Sequence, residues 1–149
     1  MAHVRVPPAA ARSHIALTRD ELVAWGEAFG RAARAPLVVA LGGELGAGKT
    51  TLVQAICRGY GVAEPVTSPT YALVHEYAAP RGPVWHADLY RLRGPEELDA
   101  FGWDELVASD RLGLVEWPER AGARMPRGAV PLDLEHLSDD PARRVLLAG

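Results

Sequence analysis

Five consecutive apolar residues, Leu37-Val38-Val39-Ala40-Leu41, run almost directly into a glycine-rich octet, Gly43-Glu44-Leu45-Gly46-Ala47-Gly48-Lys49-Thr50. A stretch that favours helix follows, through Arg58. A short continuous apolar run is the pattern of a strand buried on both faces. The octet fits G-x-x-x-x-G-K-[ST] at every fixed position, in the strand-before, helix-after context that the pattern requires. Glycines let backbone N–H groups turn inward and approach anionic oxygens closely. The following helix sets its partial positive end at the same point. The segment therefore predicts a phosphate cradle, with ATP as the expected nucleotide. Gly46, Ala47 and Gly48 line it, and Lys49 reaches the β- and γ-phosphates. Thr50 offers a hydroxyl to a Mg²⁺ ion bridging those phosphates, and Thr51 adds a hydrogen bond.

Composition sharpens the lysine. Lysine and arginine together number 16, and Lys49 is the only lysine. A compact ammonium fits a pocket closed by backbone amides, where a wide planar guanidinium does not. There is no asparagine, so the N-K-x-D motif by which GTPases read guanine cannot exist. The net charge of -3 gives no general attraction to nucleic acid or acidic membranes. Cys57 is the only cysteine, which rules out an internal disulfide and suits a reducing cytoplasm. No run approaches the ~20 apolar residues of a membrane span. The 149 residues fit one domain, with Met1 to Ser13 expected to form a loose arm.

Around the cradle the pattern alternates between helix and strand. Thr18 and Glu21 have capping-box spacing, and Leu22, Trp25 and Phe29 follow at helical spacing before Pro36. Gly42-Gly43 is expected to break the strand, and Gly59 and Gly61 to end the helix after the octet. Tyr71 to Tyr77 and Val84 to Tyr90 read as a hairpin. Pro95 to Leu98 starts a short helix whose apolar face continues through Phe101, Trp103 and Leu106. Leu112 to Val115 is a second buried strand, and Val130 to Leu137 with Arg143 to Leu147 reads as a terminal hairpin. The expected class is α/β.

A phosphate cradle needs carboxylates near the metal or the attacking water. Glu116 closes the strand Leu112 to Val115, and the C-terminal end of such a strand faces the ligand crevice. Asp88 lies in the aromatic stretch His86-Ala87-Asp88-Leu89-Tyr90-Arg91; a buried carboxylate there needs a partner, and a metal-bound water or Arg91 would serve. His86 shares side-chain parity with Asp88 and is expected to be packed or hydrogen-bonded rather than a ligand. Ser68 and Thr70 flank a proline, which fits turn chemistry or a switch sensing the γ-phosphate. Trp117 adjoins Glu116 and is set apart from the other tryptophans, which read as core. Cys57 reads as a small buried hydrophobe.

Four motifs in order, the octet with Thr51, Ser68-Pro69-Thr70-Tyr71, His86-Ala87-Asp88-Leu89-Tyr90-Arg91-Leu92 and Leu114-Val115-Glu116-Trp117-Pro118, resemble the signatures of the TsaE (YjeE) family. The resemblance runs from about Thr18 to Glu119. It implies a single P-loop NTPase-like α/β domain with a mixed parallel and antiparallel central sheet flanked by helices. It further implies weak ATP hydrolysis with Mg²⁺, boosted by partners TsaD and TsaB, in support of threonylcarbamoyl transfer to adenosine 37 of tRNA. Contact with tRNA would then be indirect, through the complex. Carried over, Lys49 contacts phosphate, Thr50 and Glu116 hold Mg²⁺, and Asp88 assists hydrolysis beside the metal. Ser68 to Thr70 would form a switch-like loop, and Trp117 would lie near the site. Glu44 departs mildly, standing where Asp is common. The competing enzyme class is a small-molecule P-loop kinase, for which the basic loop Gly122 to Gly128 would have to serve as a lid. A non-catalytic nucleotide-binding scaffold is a further alternative.

Overall fold

A computed structural model describes residues 13–44, 46–67, 73–137, 139–140 and 142–148. Among them the strands are β1 (Ser13–Thr18), β2 (Leu37–Gly43), β3 (Val74–Tyr77), β4 (Val84–Asp88), β5 (Leu112–Glu116), β6 (Val130–His136) and β7 (Arg143–Ala148). The helices are α1 (Arg19–Ala32), α2 (Lys49–Tyr60), α3 (Glu96–Ala100) and α4 (Trp103–Ala108), with 3₁₀ turns at Pro118–Arg120 and Gly122–Arg124. The seven strands form one sheet in the order β1-β7-β6-β2-β5-β4-β3. The central four, β6, β2, β5 and β4, run parallel. β3 joins one flank antiparallel, and β7 followed by β1 joins the other antiparallel. The mixed sheet and flanking helices agree with the sequence expectation.

The parallel centre explains the burial pattern. Every residue of β5 is buried, as expected of a strand covered on both faces. On one face, Val39, Leu41, Leu112, Leu114, Leu132 and Leu134 meet Phe29 of α1 and Leu52, Val53 and Ile56 of α2. On the other, Trp85 and Val115 meet Leu98 and Trp103. Each large apolar side chain removed from water in this way contributes about 1.5–3 kcal/mol. Cys57 lies in the first cluster, and burial pushes its thiol up to about 12, which fits an inert hydrophobe.

Several boundaries differ from the sequence reading. β2 does not stop at Gly42-Gly43, because Gly42 and Gly43 pair with Asp133 and Leu134 of β6. Gly59 does not end α2. A Cβ there would lie 2.1 Å from the Glu27 carbonyl oxygen, and one on Gly30 would lie 2.1 Å from that of Ile56; the two glycines let α1 and α2 touch backbone to backbone. The helix ends at Gly61, whose φ of 109° closes it in the usual left-handed way. Ser13 is not part of a loose arm but opens β1, opposite Ala148. β4 ends at Asp88 rather than Tyr90, and the apolar stretch after Pro95 divides into α3 and α4 at Gly102, φ 76°. The described part of β3 begins at Val74; Tyr71 and Ala72 lie outside the described residues.

Candidate functional site around the glycine-rich loop

β2 delivers the chain to the C-terminal edge of the parallel strands, and α2 departs from it. Between them the backbone turns through Gly46, φ 76°, and Gly48, φ 103°, which is the N-cap of α2. A side chain at Gly48 would be strained at that angle. Ala47 is fully buried, and its N–H donates to the Glu44 carbonyl at 3.2 Å. Thr50 and Thr51 occupy the first turn of α2, half-buried.

Lys49 is only 5 % exposed. Its ammonium donates to the Gly43 carbonyl and lies 3.5 Å from the centroid of the Trp117 ring. Burial lowers its pKa from the ordinary lysine value; the charges of Glu116, Glu119 and Asp88 pull the other way. The lone lysine and the two acids singled out in the sequence thus form one electrostatic group.

Register builds the acidic side. β4 and β5 run parallel with Asp88 opposite Glu116 and His86 opposite Leu114. Side chains alternate along each strand, so His86, Asp88, Leu114 and Glu116 share the face that carries α2. Glu116 is 3 % exposed and is not a surface residue at a strand end. Its Oε2 accepts from the Nε2–H of His86, fully buried, at 2.6 Å. The hydrogen bond expected of His86 is present. The identity of its partner was missed in the sequence, because it depends on the pairing of two strands 30 residues apart. Asp88 is half-buried, and its Oδ1 accepts from the Tyr90 N–H at 3.1 Å. Burial raises its pKa and the Glu116 charge adds to this; the Tyr90 N–H, His86 and Lys49 oppose it.

Trp117 follows Glu116 in the left-handed region, φ 57°, an unfavourable place for a bulky side chain. That turn sets the indole against Lys49 on one side and Tyr90 on another, with ring centroids 4.9 Å apart. Tyr90 escaped the sequence reading, although an aromatic residue two after a candidate carboxylate was visible. A cleft of about 640 Å³ opens beside the loop, bounded by Gly43, Glu44, Tyr90, Trp117 and Glu119 together with the carboxylates of β6. Ser68 and Thr70 lie outside the described residues.

The donor chemistry at this edge fits Mg²⁺. Glu116 and Asp88 offer hard oxygen ligands, and His86 engages one Glu116 oxygen only. No group of three or more His, Cys, Asp or Glu side chains able to hold a metal occurs among the described residues. One or two carboxylates completed by phosphate oxygens and water is the usual way Mg²⁺ is held. No helix among the described residues is long and apolar enough to cross a membrane.

The family model described as threonylcarbamoyl adenosine biosynthesis protein TsaE matches residues 17–145. The chain belongs to the TsaE family. Its TsaE relative in Haemophilus influenzae, named a tRNA threonylcarbamoyladenosine biosynthesis protein, is 39% identical over 103 residues. That match covers 69% of this chain and 65% of the relative. The TsaE protein of Treponema pallidum is 34% identical over 125 residues, covering 84% of this chain and 92% of the relative. The fold of this TsaE chain is that of YdiB from Bacillus subtilis, with a TM-score of 0.71 and 24% identity over 92% of this chain and 86% of that one.

Proposed function

We propose that this TsaE-family chain binds ATP with Mg²⁺ and hydrolyses it slowly, in support of threonylcarbamoyladenosine formation at position 37 of tRNA by TsaD and TsaB. The observation that carries the reading is the convergence of buried Lys49 with Asp88 and Glu116 at the head of α2. Phosphate oxygens would compete with the Gly43 carbonyl for the Lys49 ammonium, drawn also by the N–H groups at the start of α2. Thr50 and Glu116 would hold Mg²⁺, with Asp88 beside them. The bound ion would neutralise charge on the β- and γ-phosphates. Asp88 would orient a water whose oxygen bonds to the γ-phosphorus as the bond to the bridging oxygen breaks, and would take up the water's proton. Trp117 and Tyr90, in ring contact, wall the cleft beside this edge.

The basic loop gives the kinase alternative no support. Arg124 of the basic loop donates to Asp99 at 2.8 Å and to Asp104 at 3.0 Å, which ties the loop to α3 and α4. The relatives' names, which specify tRNA threonylcarbamoyladenosine biosynthesis, support the modification pathway instead. The test is ATP turnover by the purified chain alone and with TsaD–TsaB. Slow turnover, stimulated by the pair and abolished in Lys49→Ala, is expected. Turnover indifferent to TsaD–TsaB, or stoichiometric phosphate transfer to a nucleoside or sugar, would overturn the proposal.

A further inference from the structure

His86 is a buried polar side chain with no role in the scheme above. Its ring is fully buried on β4, the strand between β3 and β5, on the face it shares with Val84 and with its cross-strand neighbours Leu114 and His75. The Nε2–H donates to Glu116 Oε2 at 2.6 Å, while Nδ1 is buried without a hydrogen-bond partner among the described residues. An unmet buried polar atom costs about 1–3 kcal/mol. An apolar side chain of similar volume would fill this space without that cost. What histidine adds is a rigid donor on the strand next to Glu116, seated two residues before Asp88.

A buried carboxylate at the end of a side chain with three rotatable bonds needs such a donor to hold one orientation. Charge-assisted hydrogen bonds are shorter and stronger than neutral ones, and the His86–Glu116 contact is short, 2.6 Å. Partners behind a ligating carboxylate fix its direction and tune its affinity. We infer that His86 is a positioning residue that holds Glu116 by Oε2 and so presents Oε1 as the oxygen for the nucleotide's metal. This rests on the proposed role of Glu116 as a metal ligand.

The test compares His86→Leu, His86→Gln, Glu116→Gln and the double variant His86→Leu/Glu116→Gln. Mn²⁺ affinity of the ATP-loaded protein is read from the electron paramagnetic resonance of free Mn²⁺, beside thermal unfolding and ATP turnover. His86→Leu is expected to weaken Mn²⁺ binding by about tenfold or more. His86→Gln, whose amide can reach Oε2, should restore most of it. In the Glu116→Gln background, His86→Leu should add nothing, since two residues acting through one contact are not additive. His86→Asn, too short to reach Oε2, stands in with the same expected loss if His86→Leu does not fold. Wild-type Mn²⁺ affinity in a folded His86→Leu or His86→Asn protein, equal losses in both backgrounds, or no rescue by Gln would overturn the inference while leaving Glu116 as a ligand. Undiminished Mn²⁺ affinity in Glu116→Gln would remove the ligand reading itself, and the inference with it.

Discussion

Lys49 meets two demands that only a thin cationic side chain satisfies. It is buried at the start of α2 with its ammonium on the Gly43 carbonyl, and it ends in a compact charge near Glu116, Glu119 and Asp88. Arginine keeps the charge but not the shape. Lys49→Arg is therefore expected to lose about as much nucleotide affinity as Lys49→Ala. Two lost charged hydrogen bonds correspond to about 3 kcal/mol, or roughly a hundredfold. Titration with a fluorescent ATP analogue measures this, and near-native affinity in Lys49→Arg would show that the site admits a guanidinium. Glu116→Ala and Asp88→Ala should each lower turnover by about a hundredfold with the circular dichroism spectrum unchanged. Full activity in Asp88→Ala would return that residue to a structural role. Lys49, Asp88 and Glu116 were legible in the sequence because each stands out locally: a lone lysine, an acid in an aromatic stretch, an acid at the end of an apolar run. The His86–Glu116 bond was not, because it exists only once β4 and β5 are in register.

At the scale of elements, local sequence governs where the decisive contacts are local. The capping box of α1 was readable from spacing alone, and both of its bonds form: Thr18 N–H to Glu21 Oε1 at 2.8 Å and Glu21 N–H to Thr18 Oγ1 at 3.2 Å. β1 was not readable, because it is a strand only by virtue of β7, more than a hundred residues later in the chain. The same reason extends β2 through two glycines, where β6 supplies the ladder. Thr18→Ala should cost about 1 kcal/mol, a fall of about 2–4 °C in melting temperature. Glu21 gives the same cap a pH dependence. The Thr18 backbone N–H foremost, then the Thr18 hydroxyl and Arg143, hold its carboxyl below the ordinary value. A lowered folded value means the stabilisation is complete above the unfolded pKa and is lost as pH falls through the folded one. The melting-temperature gap between the native chain and Glu21→Gln should therefore be present at pH 7 and close below roughly pH 4. A gap unchanged at acid pH would show that the ionised carboxylate contributes nothing to the cap.

The whole molecule is polar in its division of labour. The glycine-rich loop, Asp88, Glu116 and Trp117 all gather where the parallel strands end and α2 begins, the end at which open α/β sheets bind their ligands. The opposite end is structural, and one side chain dominates it. Arg81, in the β3–β4 turn, reaches across to the C-terminal ends of both α1 and α2. Its guanidinium donates to Gly30 O at 2.7 Å, Ala33 O at 3.1 Å, Arg31 O at 3.2 Å, and Gly59 O and Tyr60 O at 3.3 Å. It also stacks on the Tyr60 ring, 4.2 Å from the centroid. Carbonyls left unpaired at helix C-termini carry partial negative charge and attract a cation. The planar fork can answer several of them at once, which an ammonium cannot. Arg81→Lys is expected to destabilise the fold by about 2 kcal/mol, a fall of roughly 4–8 °C in melting temperature. ATP turnover measured well below that temperature should match the native chain, because nothing at the glycine-rich-loop end changes. Loss of turnover in a folded Arg81→Lys protein would mean that the two ends are coupled through α2, whose first residue is Lys49 and whose last turn Arg81 holds.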